Sequence, residues 1–160
     1  MPSKKDIIIF YLLSFTWGIV MTLVGLFALL YIYLFMHKSV DIFMVAGRVC
    51  IRHKTKIFGG ISLGIVYYID KRNSYRLHTH ELGHTVQNVM FGLLFPVLIG
   101  IPSVIRANLR RKFPSLRYDR HKRYIEYDSI WFEGQATELG EKYFHETVTK
   151  LLGEWPNAKC

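Results

Sequence analysis

A long apolar run dominates the N-terminal part of the chain. Residues 7–36 are thirty consecutive positions without a charged side chain. As one helix this run would be about 45 Å long, more than the roughly 30 Å hydrocarbon thickness of a bilayer. We therefore predict a tilted transmembrane helix within an N-terminal membrane anchor, residues 1–38.

A signal peptide, a core helix and a hairpin each fit this run less well. Lys4 and Lys5 precede it, as in a signal peptide, but it is far longer than the usual apolar core and no A-x-A-like site follows. A core helix would need apolar cover on every side, which 160 residues can hardly supply. A hairpin of two crossings would need about 40 residues, so the length favours a single crossing.

The pattern changes to short strands in residues 40–70. β-Branched, aromatic and basic residues occur there together with glycines, which predicts two or three strands, the last near residues 61–69. A polar turn follows, in which Asn73 or Ser74 can cap a helix. We expect this helix to cover residues 75–91.

Glycine and proline interrupt a second uncharged run, residues 89–105. Such interruptions disfavour a regular helix, so we expect an interfacial or re-entrant segment that contacts the membrane. The interrupting residues are Gly92, Pro96, Gly100 and Pro102. The basic stretch 106–123 then predicts an exposed surface or flexible loop, and residues 129–152 predict a last helix.

The formal net charge of +9 lies almost wholly outside the anchor. No nucleic-acid-binding motif accompanies it, so we predict contact with anionic lipid headgroups and no nucleic-acid partner. The basic residues near the anchor are Lys4 and Lys5 before it and Lys38, Arg48, Arg52 and Lys54 after it. Their excess on the second side favours a cytoplasmic domain. The two cysteines, Cys50 and Cys160, form neither a disulfide framework nor a paired metal motif.

The stretch HTHELGHTVQ contains the candidate chemistry. Residues four apart in a helix differ by about 40° in direction, so His80 and His84 share one face and can bind one zinc ion. Glu81 then points towards the open side of the metal, as in the H-E-x-x-H pattern. His78 lies about 200° around the helix from His80 and should face away. The alternative is a pair of surface histidines that bind no metal.

A catalytic zinc site needs a third protein ligand and an open position for water. The stretch FEGQATELG offers Glu133, with Thr137 one turn later on the same face as a hydrogen-bonding partner of the site. Small Gly134 and Ala136 would let this helix pack closely on the first. Glu133 alone would be interpreted as a solvated carboxylate at a helix start, but with the upstream motif we predict that it binds zinc.

Several stretches resemble one family. HELGH, FGLLFP, IPSVIRA, YDSIWFEGQATELG and, in the anchor, LLSFTWGIVMTLVG look like a family of small, uncharacterised bacterial membrane-associated H-E-x-x-H proteins. More distantly, H-E-x-x-H with a later E-x-x-A-[DT] resembles the gluzincin metallopeptidases, in which two histidines and a glutamate bind zinc. This resemblance implies His80, His84 and Glu133 as ligands and Glu81 as the catalytic carboxylate, with Thr137 where gluzincins often have aspartate.

These residues predict a membrane-anchored zinc metallopeptidase. Glu81 would take a proton from zinc-bound water and pass it to the leaving amine. Tyr124, Tyr127 and His145 are candidates for stabilising the oxyanion, and nothing in their spacing selects one. Residues 58–69 are either a strand that pairs with an extended peptide substrate or an ordinary core strand.

Three alternatives stay open on sequence grounds. An intramembrane protease would work in a water-filled cavity, although the charges near the motif favour a site at the interface. A non-catalytic zinc clamp would need a fourth ligand, for which His78, His121 and His145 are candidates. A lipid-binding protein would leave the motif without a function.

The predicted fold class is a membrane-associated α+β protein. It combines the transmembrane helix, short strands, a zincin-like active-site helix, the broken apolar segment and a C-terminal helix. Residues 39–160 would form a small zincin-like metal-binding domain whose second membrane contact is residues 89–105. We expect it in the bacterial inner membrane, with the metal site on the cytoplasmic side or at the interface. The expected partners are the lipid bilayer and a peptide or protein substrate.

Overall fold

The computed structural model describes residues 2–53, 59–70 and 74–153 of the chain. Within these residues it forms an α+β fold of five α-helices and one four-stranded mixed sheet, which confirms the predicted class at this level. The helices are α1 (Lys4–Phe15), α2 (Ile19–Phe35), α3 (Tyr75–Phe91), α4 (Ile101–Lys112) and α5 (Trp131–Gly153). The strands are β1 (Val40–Val45), β2 (Arg48–His53), β3 (Gly60–Leu63) and β4 (Val66–Ile69).

The N-terminal apolar run forms two helices, so the prediction of one continuous helix is wrong. α1 and α2 meet at an angle of 94°. Gly18 lies at the corner, where an added Cβ would be 2.6 Å from Nδ2 of Asn88. The Thr22 hydroxyl donates a hydrogen bond to the Ser14 carbonyl across the bend. The corner therefore forms because it packs against α3.

Membrane crossing stays a prediction. In the described ranges, no single helix is both long and apolar enough to cross a bilayer. Two bent pairs reach that length and composition only together, namely α1 with α2 and Tyr75–Leu94 with Pro96–Lys112.

The sheet has the strand order β1-β2-β4-β3, with β2 and β4 parallel and the other pairs antiparallel. The single strand predicted near residues 61–69 is instead a hairpin, because Gly64 turns the chain with φ at +66°. β3 therefore lies at the sheet edge. Val66 and Tyr68 of β4 pack with α1 and α2, whereas Tyr67 and Ile69 pack with α3 and α5. The sheet thus lies between two helical layers.

The helices that carry the motif and its predicted third ligand have the expected bounds. α3 begins and ends as predicted, and α5 lies within two residues of the predicted range 129–152. Ser74 caps α3 by accepting a hydrogen bond from the backbone N–H of Leu77. Asn73, the other candidate cap, lies outside the described residues.

Glycine lets α3 and α5 pack backbone to backbone. A Cβ added to Gly83 would lie 1.8 Å from the carbonyl oxygen of Ala136, and one added to Gly140 would come equally close to the α3 backbone. Ala136 therefore lies at the contact, as predicted. Gly134 instead packs on the carbonyl oxygen of Asp128.

The second apolar run is broken, as predicted. A 3₁₀ turn (Gly92–Leu94) and a π-helical turn (Pro96–Gly100) precede α4. The surface loop predicted for residues 106–123 begins only after Lys112, because α4 continues to that residue. Arg110 of α4 is buried and donates a hydrogen bond to the carbonyl of Ile125, so part of the basic stretch is used to hold the fold together.

Candidate metal centre

The three predicted ligands converge on one point. Nε2 of His80 and Nε2 of His84 lie 3.1 Å and 3.3 Å from Oε2 of Glu133. Zinc–ligand distances of about 2.0–2.1 Å place neighbouring atoms of a tetrahedron roughly 3.3 Å apart. Among the described residues, these three are the group of histidine, cysteine and carboxylate side chains close enough to hold a metal ion.

A glutamine sets the tautomer of His84. Gln87 donates through Nε2 to the carbonyl of Phe132 at 2.8 Å and to Oε1 of Gln135 at 2.9 Å. Its own Oε1 therefore accepts from Nδ1 of His84, which lies 2.7 Å away. Because Nδ1 carries the proton, Nε2 of His84 presents a lone pair to Glu133.

A threonine sets the tautomer of His80 in the same way. The Thr137 hydroxyl donates to Oδ2 of Asp128 at 2.9 Å, because an ionised carboxylate can only accept. The same Thr137 oxygen then accepts from Nδ1 of His80, also at 2.9 Å. Nε2 of His80 is therefore a second lone-pair donor facing Glu133. Thr137 thus lies beside the ligands, where its spacing in the sequence suggested.

Glu133 is fully buried, and one of its oxygens has no hydrogen-bond donor among the residues that the structure describes. Oε1 accepts from the Tyr127 hydroxyl at 3.1 Å, whereas Oε2 faces the two imidazole nitrogens. Burial acts to raise the pKa of Glu133, whereas a hydrogen bond with the Ser103 hydroxyl acts to lower it. Three lone-pair donors around one point need a cation between them, and this donor set suits zinc.

Glu81 lies beside this group. Its carboxyl accepts a hydrogen bond from the Ser62 hydroxyl at 2.9 Å. Gly60 of β3 makes room for it, since a Cβ there would lie 2.4 Å from Oε1 of Glu81. Burial raises the pKa of Glu81 to about 7, although the hydrogen bond from Ser62 acts to lower it. A carboxyl group with a pKa near 7 can both accept and donate a proton at neutral pH.

Three other histidines lie elsewhere. His78 points away from the ligands, as predicted, and its Nδ1 is 2.9 Å from the Tyr67 hydroxyl in the core. His145 is exposed and contacts the Tyr75 hydroxyl through Nδ1, at 2.6 Å. His121 lies in the exposed loop after α4. None of the three belongs to the ligand group of the described chain.

A cavity of about 1280 Å³ opens onto the site. β3, Glu81 and both ligand histidines contribute to its lining, and residues 95–105 with Met21 contribute an apolar part. Tyr124 and Tyr127 also line it, whereas His145 does not. The geometry therefore leaves two tyrosines as oxyanion candidates, and Tyr127 is the one that contacts a ligand.

Sequence reasoning missed the residues that orient the ligands. Gln87 had a usable signal, because it follows His84 by three positions on one helix face. Asp128 had none, since it precedes α5 and meets Thr137 only through the fold. Ser62 comes from the sheet, so its contact with the active-site helix is also non-local.

No family model, curated protein or solved structure matches this chain. The fold and the donor set by themselves define a candidate mononuclear metal centre of two histidines and one glutamate, placed between two helices of an α+β protein.

Proposed function

We propose that this chain is a membrane-associated zinc metallopeptidase. The observation that carries the proposal is the unpartnered Oε2 of Glu133 facing two unprotonated imidazole nitrogens, with Glu81 beside them on an accessible cavity. Two imidazoles and a carboxylate leave the fourth tetrahedral position for water. His80, His84 and Glu133 are the ligands in this proposal, and the resemblance to gluzincins assigns them the same roles.

Bound zinc would supply a Lewis acid that lowers the pKa of a coordinated water towards about 7. Glu81 would take a proton from the water that attacks the peptide carbonyl and would pass it to the leaving amine as the C–N bond breaks. The Ser62 hydroxyl holds the Glu81 carboxyl in position for both transfers. Tyr127 donates its one hydroxyl proton to Glu133, so Tyr124, the other tyrosine that lines the cavity, is our candidate for stabilising the oxyanion.

The cavity favours an extended and largely apolar peptide as the substrate. β3 is an edge strand of the sheet that the described residues form, and it lines the cavity, so the main-chain groups that face away from β4 can bond to an extended peptide. Ile101, Val104 and Ile105 line the cavity with exposed apolar side chains that can contact the substrate side chains. Phe58, where the predicted substrate strand begins, lies outside the described residues.

The membrane part of the proposal rests on exposed apolar surface. Phe27 of α2 is 69% exposed and Val97 of the broken segment is 65% exposed, and both have large apolar neighbours that are also exposed. α4 follows the broken segment and ends in the exposed residues Arg111 and Lys112, which suit anionic headgroups. We assign the α1–α2 pair and the broken segment, residues 89–105, to the membrane contact, in the inner membrane of a bacterium. The ion pair of Arg76 with Asp128 beside the cavity favours a site at the interface.

A closed structural zinc site is the alternative from another class. It would need a fourth ligand, and the position of His78, His121 and His145 outside the ligand group of the described residues weighs against it. Such a clamp would also have no use for the buried carboxyl group of Glu81.

Zinc content tests the metal site. Detergent-purified protein is compared with Glu133→Ala and with Glu138→Ala, a control that changes an exposed carboxylate on the same helix. We expect about one zinc per chain in the unaltered protein and the control, and much weaker binding in Glu133→Ala. An unaltered chain without zinc after incubation with the metal would overturn the proposal and leave a lipid-binding protein.

Glu81→Gln separates catalysis from a structural clamp. The variant should keep its zinc and lose hydrolysis of quenched fluorescent apolar peptides in detergent, because glutamine cannot take the proton. Hydrolysis at the unaltered rate would remove Glu81 from the mechanism.

A further inference from the structure

The short 3₁₀ helix Tyr127–Ser129 contacts two of the three ligands. Tyr127 donates to Oε1 of Glu133 at 3.1 Å. Asp128 accepts from the Thr137 hydroxyl, which in turn accepts from Nδ1 of His80. One turn of chain outside both metal-binding helices therefore holds ligands from each of them.

We propose that Asp128 is a positioning residue that acts on His80 through Thr137. A hydroxyl next to an imidazole can rotate and either donate or accept. The Asp128 carboxylate removes that freedom, because it can only accept, and so the Thr137 oxygen is turned towards Nδ1–H of His80. The relay thereby keeps the Nε2 lone pair of His80 on the metal side and raises its basicity. This inference rests on the proposed metal site.

Asp128 is itself held from several sides. Its Oδ2 pairs with Nη2 of Arg76 at 3.1 Å. Arg106 of α4 donates through Nη2 to the Tyr127 carbonyl at 3.0 Å and to the Ser129 hydroxyl at 3.2 Å. These contacts lie outside the ligand group and hold the turn, with its carboxylate, close to α5.

Asp128→Asn tests the relay, because asparagine keeps the shape and removes the charge. Glu126→Gln is the matched control, since Glu126 is also near Arg76, at 3.8 Å, and belongs to the same stretch of chain. We expect the zinc affinity of Asp128→Asn to fall by about 10- to 100-fold and that of Glu126→Gln to change less than about twofold. Competition with a chromophoric chelator measures both, and the visible spectrum of the cobalt-loaded proteins reports the ligand geometry.

A second substitution distinguishes the relay from damage to the fold. Thr137→Asp places a carboxylate directly beside His80, so it should restore most of the zinc affinity in the Asp128→Asn background. In the otherwise unaltered chain it should weaken binding, because two carboxylates would then meet. If Asp128→Asn alone fails to fold, the variant that carries both Asp128→Asn and Thr137→Asp still tests the relay.

The outcomes separate this inference from the proposed function. An unaltered chain that binds no zinc refutes the metal site itself. Zinc binding in the unaltered chain with equal affinities for Asp128→Asn and Glu126→Gln refutes only the role of Asp128. A double variant that binds no better than Asp128→Asn likewise refutes the relay.

Discussion

The contact between α3 and α5 should control the metal site. In Gly83→Ala the new Cβ would start 1.8 Å from the Ala136 carbonyl oxygen, whereas ordinary contact begins at 3.4 Å. The atom it meets is backbone, so the two helices must separate by well over an ångström. Glu133 lies one turn before Ala136 on α5, and it would therefore move away from His80 and His84.

Metal–ligand distances tolerate only about 0.2 Å of such movement. We expect Gly83→Ala to lose more zinc affinity than the 10- to 100-fold that is typical of removing a partner outside the ligand set. Overpacking should also lower the free energy of unfolding by about 1–3 kcal/mol. Zinc titration against a chelator and thermal unfolding in detergent, followed by circular dichroism, measure the two effects.

Gly153→Ala is the control for this experiment, because a Cβ at Gly153 would have no neighbour within 4 Å in the described part of the chain. It should match the unaltered chain in both measurements. If Gly83→Ala also matched the unaltered chain, the ligand geometry would not depend on the close approach of α3 and α5, and this prediction would be refuted.

Three further predictions concern other parts of the molecule. His78→Ala should keep zinc binding but lower the free energy of unfolding by about 1–3 kcal/mol, because a buried hydrogen bond to Tyr67 is lost; weakened zinc binding would contradict this. In metal-free protein the pKa of Glu81 rises from 4.5 to about 7 on folding, so between these pH values the folded state keeps a proton on Glu81 that the unfolded chain has lost. As the pH rises from about 4.5 to about 7, the free energy of unfolding should therefore fall by up to about 3 kcal/mol. The same fall in Glu81→Gln would argue against assigning it to Glu81. In anionic vesicles, a water-soluble maleimide should label Val97→Cys much more slowly than Glu138→Cys, and equal rates would exclude membrane contact at Val97.

Local sequence patterns were sufficient to predict the helices that carry the candidate site. Ser74 and the apolar spacing after it predicted α3 with its observed bounds. The spacing of His80 and His84 placed both on one face, because helix geometry alone decides which residues share a face. The same argument turned His78 away, towards the core.

Local patterns failed where contact with a residue distant in sequence determines the path of the backbone. Residues 7–36 have no internal helix breaker strong enough to predict a corner at Gly18, and the bend depends on packing against Asn88 of α3. The turn at Gly64 likewise lies against Thr22 of α2. Both contacts join residues more than forty positions apart, so a pattern within one segment cannot reveal them.

The sequence by itself determined the α+β class of the fold, the candidate metal-binding face of α3 and the chemical identity of the candidate ligands. Only the tertiary structure decided that Glu133 meets His80 and His84, and that Asp128 reaches His80 through Thr137. The physical reason is distance: a metal centre needs donor atoms a few ångströms apart, and these residues are about fifty positions apart along the chain. Backbone contact between two helices, made possible by glycine, brings them within that range.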